Sequence, residues 1–283
     1  LPGVRVWREQ WCRLRARLLR GQMRGLMRVT GRARPATTHN VVGVIPGESE
    51  QQIVLSCHHD SPFRSPVEDA SGVSVVLALA RHFARRPLHR SLVILLSAGH
   101  FYGSIGTRSY IEQHRDELAR TAAEVSIEHI AREAVEDQRG RLVPTGKPEA
   151  SGIFVPFNRA VDRAVLQAVR AHDLDRTVLL SAEGPLGEYP PTDGGDWHLT
   201  GVPTINCISN PVYLLTDDDA EQWVDRRRLV KMAATFAQVL LALDRIPMEE
   251  LRRVDRGRFK LAMTLLRRLM VWKTTWLGLR PVY

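Results

Sequence analysis

The chain has 283 residues, 44% hydrophobic and 25% charged, enough for one sizeable core; this excludes a collagen-like, disulfide-framework or disordered chain. A formal charge of +9 and a pI near 10.1 raise the question of a polyanionic partner, but the arginines crowd into residues 1–34 and the tail. Without zinc-finger spacing or an aromatic RNP-like strand, no nucleic-acid partner is expected.

In chain order, residues 6–28 read as a basic amphipathic helix, broken or frayed near Gly21 and Gly25, either packed on the body or offered to a membrane surface or partner. A strand at 40–45 and a turn at 46–50 lead to the apolar run Ile53, Val54, Leu55, Ser56, a strand covered on both faces. Residues 71–85 form a helix with Val73, Val76, Leu77, Leu79, Ala80 and Phe83 spaced for one face. A buried strand at 92–97 runs into a glycine-punctuated loop, followed by a helix at 108–120 and a short strand at 125–127 that ends in Glu128 and His129. Residues 132–150 are a hairpin or loop, 159–172 a helix, 177–180 a strand, 184–195 a loop and 202–208 a strand. Asp217, Asp218 and Asp219 are expected to open a helix reaching about Leu243, with the acids at its positive end. The tail 248–283 is basic and amphipathic, with Trp272 and Trp276.

Strands alternating with helices indicate an α/β layer architecture, expected as a mixed, mostly parallel central sheet with helices on both faces. The division is a basic extension at 1–37, an α/β domain at 38–245 and a second basic extension at 246–283. Three widely spaced cysteines, Cys12, Cys57 and Cys207, argue against a disulfide framework and favour a reducing compartment. No apolar run has the length of a membrane span and no secretory-type stretch is visible, so a cytoplasmic location is the expectation.

Chemistry concentrates at strand ends. The loop 56–72 carries His58, His59, Asp60, Glu68 and Asp69 between a strand and a helix, where open α/β sheets bind ligands. Imidazole with carboxylate suits zinc and similar divalent ions, and Asp60 is placed to orient the His58 ring. A solvated polar loop starting a helix is the other reading. Cys57 is either a core residue or a ligand. His100 follows the second strand end, and Glu128 and His129 close the third.

This ordered set resembles the co-catalytic di-zinc aminopeptidase family, which includes bacterial secreted aminopeptidases, glutamate carboxypeptidases and glutaminyl cyclases. The resemblance covers about 38–245 and rests on Asn40-Val41-Val42-Gly43 with Ile45-Pro46-Gly47, on His58-His59-Asp60-Ser61, on Ala70-Ser71-Gly72-Val73, on Gly103, Gly106 and Thr107, and on Gly201-Val202-Pro203. It implies that His58 is a metal ligand oriented by Asp60, that Glu68 stands at the bridging carboxylate and that Glu128 is the strand-end acidic ligand. It also implies departures: His100 and Phe101 replace the paired glutamates, Leu215 stands at the last histidine ligand, and Thr192-Asp193-Gly194 replaces Ser-Asp-His.

The resulting expectation is a metallopeptidase-like hydrolase acting on a peptide or aminoacyl substrate through metal-activated water. Its site is remodelled: one zinc or other divalent ion on His58, Glu68 and Glu128, with His100 as proton shuttle or added ligand and His129 nearby. The alternative is a catalytically inactive binding protein of the same fold that uses its basic terminal helices on a partner or membrane surface.

Overall fold

A computed structural model describes residues 6, 8–26, 28, 30–32, 34–183 and 188–254. The apolar runs become the middle of a seven-stranded sheet. In chain order the elements are α1 (Arg8–Leu18), β1 (Val41–Ile45), β2 (Ser49–His58), α2 (Ser71–Phe83), β3 (Arg90–Ser97), α3 (Ile105–Gln113), β4 (Thr121–Ile127), β5 (Arg132–Glu136), β6 (Leu142–Pro148), β7 (Ser151–Val155), α4 (Arg159–Ala171), β8 (Thr177–Ser181), α5 (Gly195–Leu199), β9 (Thr204–Ser209), α6 (Arg226–Arg245) and α7 (Met248–Leu251). The sheet order is β1-β3-β2-β4-β9-β7-β8, and β5 with β6 forms a separate antiparallel hairpin. The neighbours β2–β3, β2–β4, β4–β9 and β7–β8 run parallel; β1–β3 and β7–β9 run antiparallel. The mixed, mostly parallel sheet is therefore as expected.

The central strands are buried on both faces, and their side chains alternate between two cores. Ile53 and Leu55 of β2 and Leu92 and Ile94 of β3 join the larger core with Val76, Leu79, Phe83, Val165, Phe236 and Leu240 from α2, α4 and α6. Val54, Val93 and Leu95 point the other way, onto Tyr110 of α3 and Trp197 of α5. Gly72 sits where α2 begins beneath the end of β4. A Cβ there would lie 2.3 Å from the Ile127 carbonyl oxygen, so only glycine permits this approach.

Several boundaries differ from the sequence reading. The first helix spans Arg8–Leu18 and not 6–28: it ends just before Gly21, whose φ is 157°, and the described residues of 22–40 have no regular structure. β2 begins at Ser49, ahead of the apolar run; its buried Gln52 is satisfied by Glu117 and Thr121. β3 starts at Arg90 and β4 at Thr121, again earlier than their apolar runs. The helix expected at 108–120 is α3 followed by a 3-10 turn, Arg115–Arg120. The residues 132–150 form the hairpin β5–β6. Strand β7 and helix α5 were not anticipated, β7 because it starts on the weak strand formers Ser151 and Gly152.

The helix expected from Asp217 begins only at Arg226, capped by Asp225, whose carboxylate accepts from the Arg227 and Arg228 amides. Asp219 instead accepts from the amides of Val67 and Glu68, a tie between two loops. The tail reading falls largely on 255–283, outside the described residues, as does 184–187 of the expected loop.

Candidate metal centre and active site

Because β2, β3, β4 and β9 are parallel, their carboxyl ends share one edge of the sheet, and that edge gathers the chemistry. His58 is the last residue of β2, His100 follows β3, and Glu128 and His129 follow β4. Glu68 arrives from the loop between β2 and α2, after a turn whose Glu68–Asp69 peptide bond is cis.

Glu68 stands between two imidazoles: its Oε1 is 3.1 Å from His58 Nε2 and its Oε2 is 2.8 Å from His129 Nε2. Glu128 Oε2 is 4.0 Å from His129 Nε2. Two sets of three residues have donor atoms all within 4.8 Å of one another: His58, Glu128 and His129, and His58, His100 and Asp193. The structure thus brings together His58, Glu68, Glu128 and His100 of the sequence reading and adds His129 and Asp193.

Both outer ring nitrogens are assigned by their partners. His58 Nδ1 lies 2.8 Å from the Asp60 carbonyl oxygen, and His129 Nδ1 lies 2.7 Å from that of Ser209. A carbonyl can only accept, so each Nδ1 donates and each Nε2 is left to face the carboxylates. Burial alone would lower the His58 pKa, but Glu68 beside it, with further carboxylates around, holds it up at about 11. His129, also opposed by burial, is raised to about 9 by Glu68 and Asp69. Burial pushes Glu68 up, yet the two histidines bring it down to about 2.

Glu68, Asp69, Glu128 and Asp193 are each only 2% exposed, so four buried carboxylates surround two buried imidazoles. Such an excess of acid is tolerated only with added protons or a cation. Glu128 is pushed well above the usual carboxylate range by burial, and then by Asp193. His58 Nε2, His129 Nε2 and Glu68 Oε2 are buried and converge without a well-aligned hydrogen bond. Two inward-facing imidazole nitrogens that would give up a proton to a cation, converging with carboxylate oxygens, fit a divalent metal of the zinc type.

The part of Asp60 that meets the His58 ring is its main-chain carbonyl. Its carboxylate is 3.8 Å from the ring and accepts instead from the His100 amide at 3.2 Å. The His100 ring stacks on His58, with centroids 4.1 Å apart, and its Nδ1 lies 2.8 Å from Asp193 Oδ1. Burial would raise the Asp193 pKa, but this contact and the charge of His58 bring it down. The Asp193 amide donates to Glu128 Oε1. Gly194 lacks a side chain for a steric reason: a Cβ there would fall 1.9 Å from Asn206 Oδ1. Cys57 is core, its thiol donating to Asp69 Oδ2. Phe101 is edge-on to His58 at 5.7 Å and offers no donor.

Consecutive strand residues point to opposite faces, which would set His129 away from Glu128. The His129 φ of 57° breaks that rule, turning the chain so that Glu128 and His129 reach the same place. Its amide donates to Asp69 Oδ1, which helps hold the turn.

The family model of Peptidase family M28 matches residues 40–240. Among solved structures, the chain is similar to BSAP, a zinc aminopeptidase from Bacillus subtilis (17% identity, TM-score 0.57, 71% of this chain and 48% of that one). It is also similar to an aminopeptidase from Aneurinibacillus sp. strain AM-1 (20%, 0.56, 72% and 47%) and to the LapA aminopeptidase of Legionella pneumophila (16%, 0.55, 75% and 54%). At these identities the likeness is one of fold, and the chain spans about half the length of these proteins. No curated protein sequence matches it.

Proposed function

The chain belongs to peptidase family M28, and from that premise we propose that it is a divalent-metal-dependent hydrolase of peptide or aminoacyl amides with a remodelled metal site. The observation that carries this is the convergence of His58 Nε2, His129 Nε2 and the carboxylates of Glu68 and Glu128, with each outer Nδ1 already committed to a carbonyl. In this reading His58, Glu128 and His129 hold one ion, and Glu68 touches both imidazoles from the side. A divalent ion bound there supplies Lewis acidity to an amide carbonyl and lowers the pKa of water.

The protein's own groups do the rest. His100 Nδ1 donates to Asp193, so its Nε2 is the nitrogen left to accept a proton from an attacking water and return it to the leaving amine. Asp193 holds that tautomer and stabilises the imidazolium when it forms. The Asp60 carboxylate fixes the His100 backbone, and its carbonyl fixes His58.

Elemental analysis of protein purified without chelator tests the site, with His58→Ala and His129→Ala alongside. About one equivalent of zinc or another divalent metal is expected in the parent and little in either variant. Because both rings are protonated at neutral pH without a cation, loading at pH 7 should release protons, measurable by calorimetry in buffers of different ionisation enthalpy. Metal kept by His129→Ala but lost from His58→Ala would restore the set His58, Glu68 and Glu128. A folded parent that takes up no metal and cleaves no aminoacyl anilide would leave the non-catalytic binding protein, which the donor-free side chains of Phe101 and Leu215 favour.

A further inference from the structure

Between Glu9 and Glu48 the sequence contains no acidic residue but eight arginines, from Arg13 to Arg34. All eight are exposed, and none forms an ion pair among the described residues. Large apolar side chains are interleaved with them and also face outward: Trp11, Leu18 and Met23 are 40–50% exposed, Leu19 81% and Leu26 90%. In α1, Trp11, Leu14 and Leu18 recur at helical spacing on one face, with Arg13 and Arg17 on the other.

The segment is held to the body at both ends. Cys12 Sγ donates to Glu136 Oε1 at the hairpin β5–β6. At the other end His59 Nε2 meets the His39 carbonyl, and the Asn40 side chain pairs with the Ala98 amide and the Gly106 carbonyl. Between these ties Leu18, Leu19, Met23 and Leu26 do not turn inward. Exposing a leucine to water costs free energy, and eight unneutralised arginines repel one another.

We propose that residues 10–34 dock the protein on an anionic lipid surface. The headgroup layer supplies phosphates for the guanidinium groups, and the acyl boundary a few ångströms below it accepts tryptophan and leucine. A nucleic-acid backbone satisfies the first requirement and not the second. No described helix is long and apolar enough to cross a membrane. The inference does not depend on the metal site, and His39 against His59 sets the docked segment beside the loop of the metal-ligand candidates.

The test is sedimentation of the full chain with vesicles of phosphatidylcholine alone or mixed with phosphatidylglycerol, at physiological salt. Binding is expected only to the mixed vesicles. Each basic residue near an anionic surface contributes roughly fivefold in affinity, so the variant Arg13→Gln/Arg15→Gln/Arg17→Gln/Arg20→Gln should bind roughly several hundredfold more weakly. The variant Leu19→Ser/Leu26→Ser, with every charge intact, should lose about tenfold or more. Thermal melts of both variants should match the parent, because every altered side chain is exposed. The proposal is overturned if the parent stays in solution with the mixed vesicles, or if the arginine variant binds as well as the parent. It is also overturned if the serine variant is unimpaired while both proteins shift single-stranded RNA equally, which would mark a general polyanion site.

Discussion

Asp193 illustrates how one residue can serve two functions at once, one through its side chain and one through its main chain. Its carboxylate takes the His100 ring and its amide takes Glu128, so the proposed proton acceptor and the proposed metal ligand share a support. In Asp193→Asn the amide link to Glu128 survives, but the side chain no longer enforces the His100 tautomer or balances an imidazolium. For the metal-loaded enzyme, kcat should fall by about 10²–10⁴ with KM little changed and metal content intact. A variant that loses its metal as well would show that Asp193 holds the metal site together and does not only position His100.

Helix ends carry much of the joining between elements. Asn158 caps α4 by accepting from the Ala160 and Val161 amides, while its side-chain amide donates to the carbonyls of Glu250, Leu251 and Arg253 beyond α6. It is buried, so its removal deprives both ends of partners that water cannot replace. Asn158→Ala should lower unfolding free energy by about 2–4 kcal/mol, the sum of a lost cap and stranded carbonyls. Asn158→Asp, which keeps the cap acceptor and loses the donor, should fall between, as read from urea midpoints. Equal midpoints for Asn158→Ala and the parent would refute this account of the join.

At the scale of the molecule, a line of buried polar groups runs behind the site. Ser56 donates to Glu124 Oε1, the Asn206 amide approaches Glu124 Oε2, and Thr192 donates to Asn206 Oδ1 one residue before Asp193. Burial raises the Glu124 pKa from 4.5 to about 8, against the pull of Ser56. The folded state therefore keeps a proton that the unfolded chain gives up above pH 4.5. Stability from this group is fully present below pH 4.5 and is lost as pH rises toward 8. Glu124→Gln, which mimics the protonated carboxyl, should flatten that part of the stability profile. A parent and variant with the same slope of unfolding midpoint across this window would contradict the assignment.

The apolar runs at 53–56 and 92–97, and the helical spacing of 71–83 and 159–171, specify a layered α/β sheet by themselves, because burial on two faces or one stripe is a local pattern. The strand-end positions of His58, His100 and Glu128, and the loop position of Glu68 between strand and helix, followed from the same pattern. His129 and Asp193 did not: one depends on a left-handed turn that defeats strand alternation, the other on a loop brought to β3 from 93 residues away in sequence. The acids at 217–219 suit a helix start when read locally, yet Asp219 serves the amides of Val67 and Glu68 and the helix starts at Arg226. Sequence determined which elements form and which edge carries the chemistry, since periodicity and residue type act over a few neighbours. Tertiary structure decided which donors share a centre, since that depends on backbone turns and partners remote in the chain.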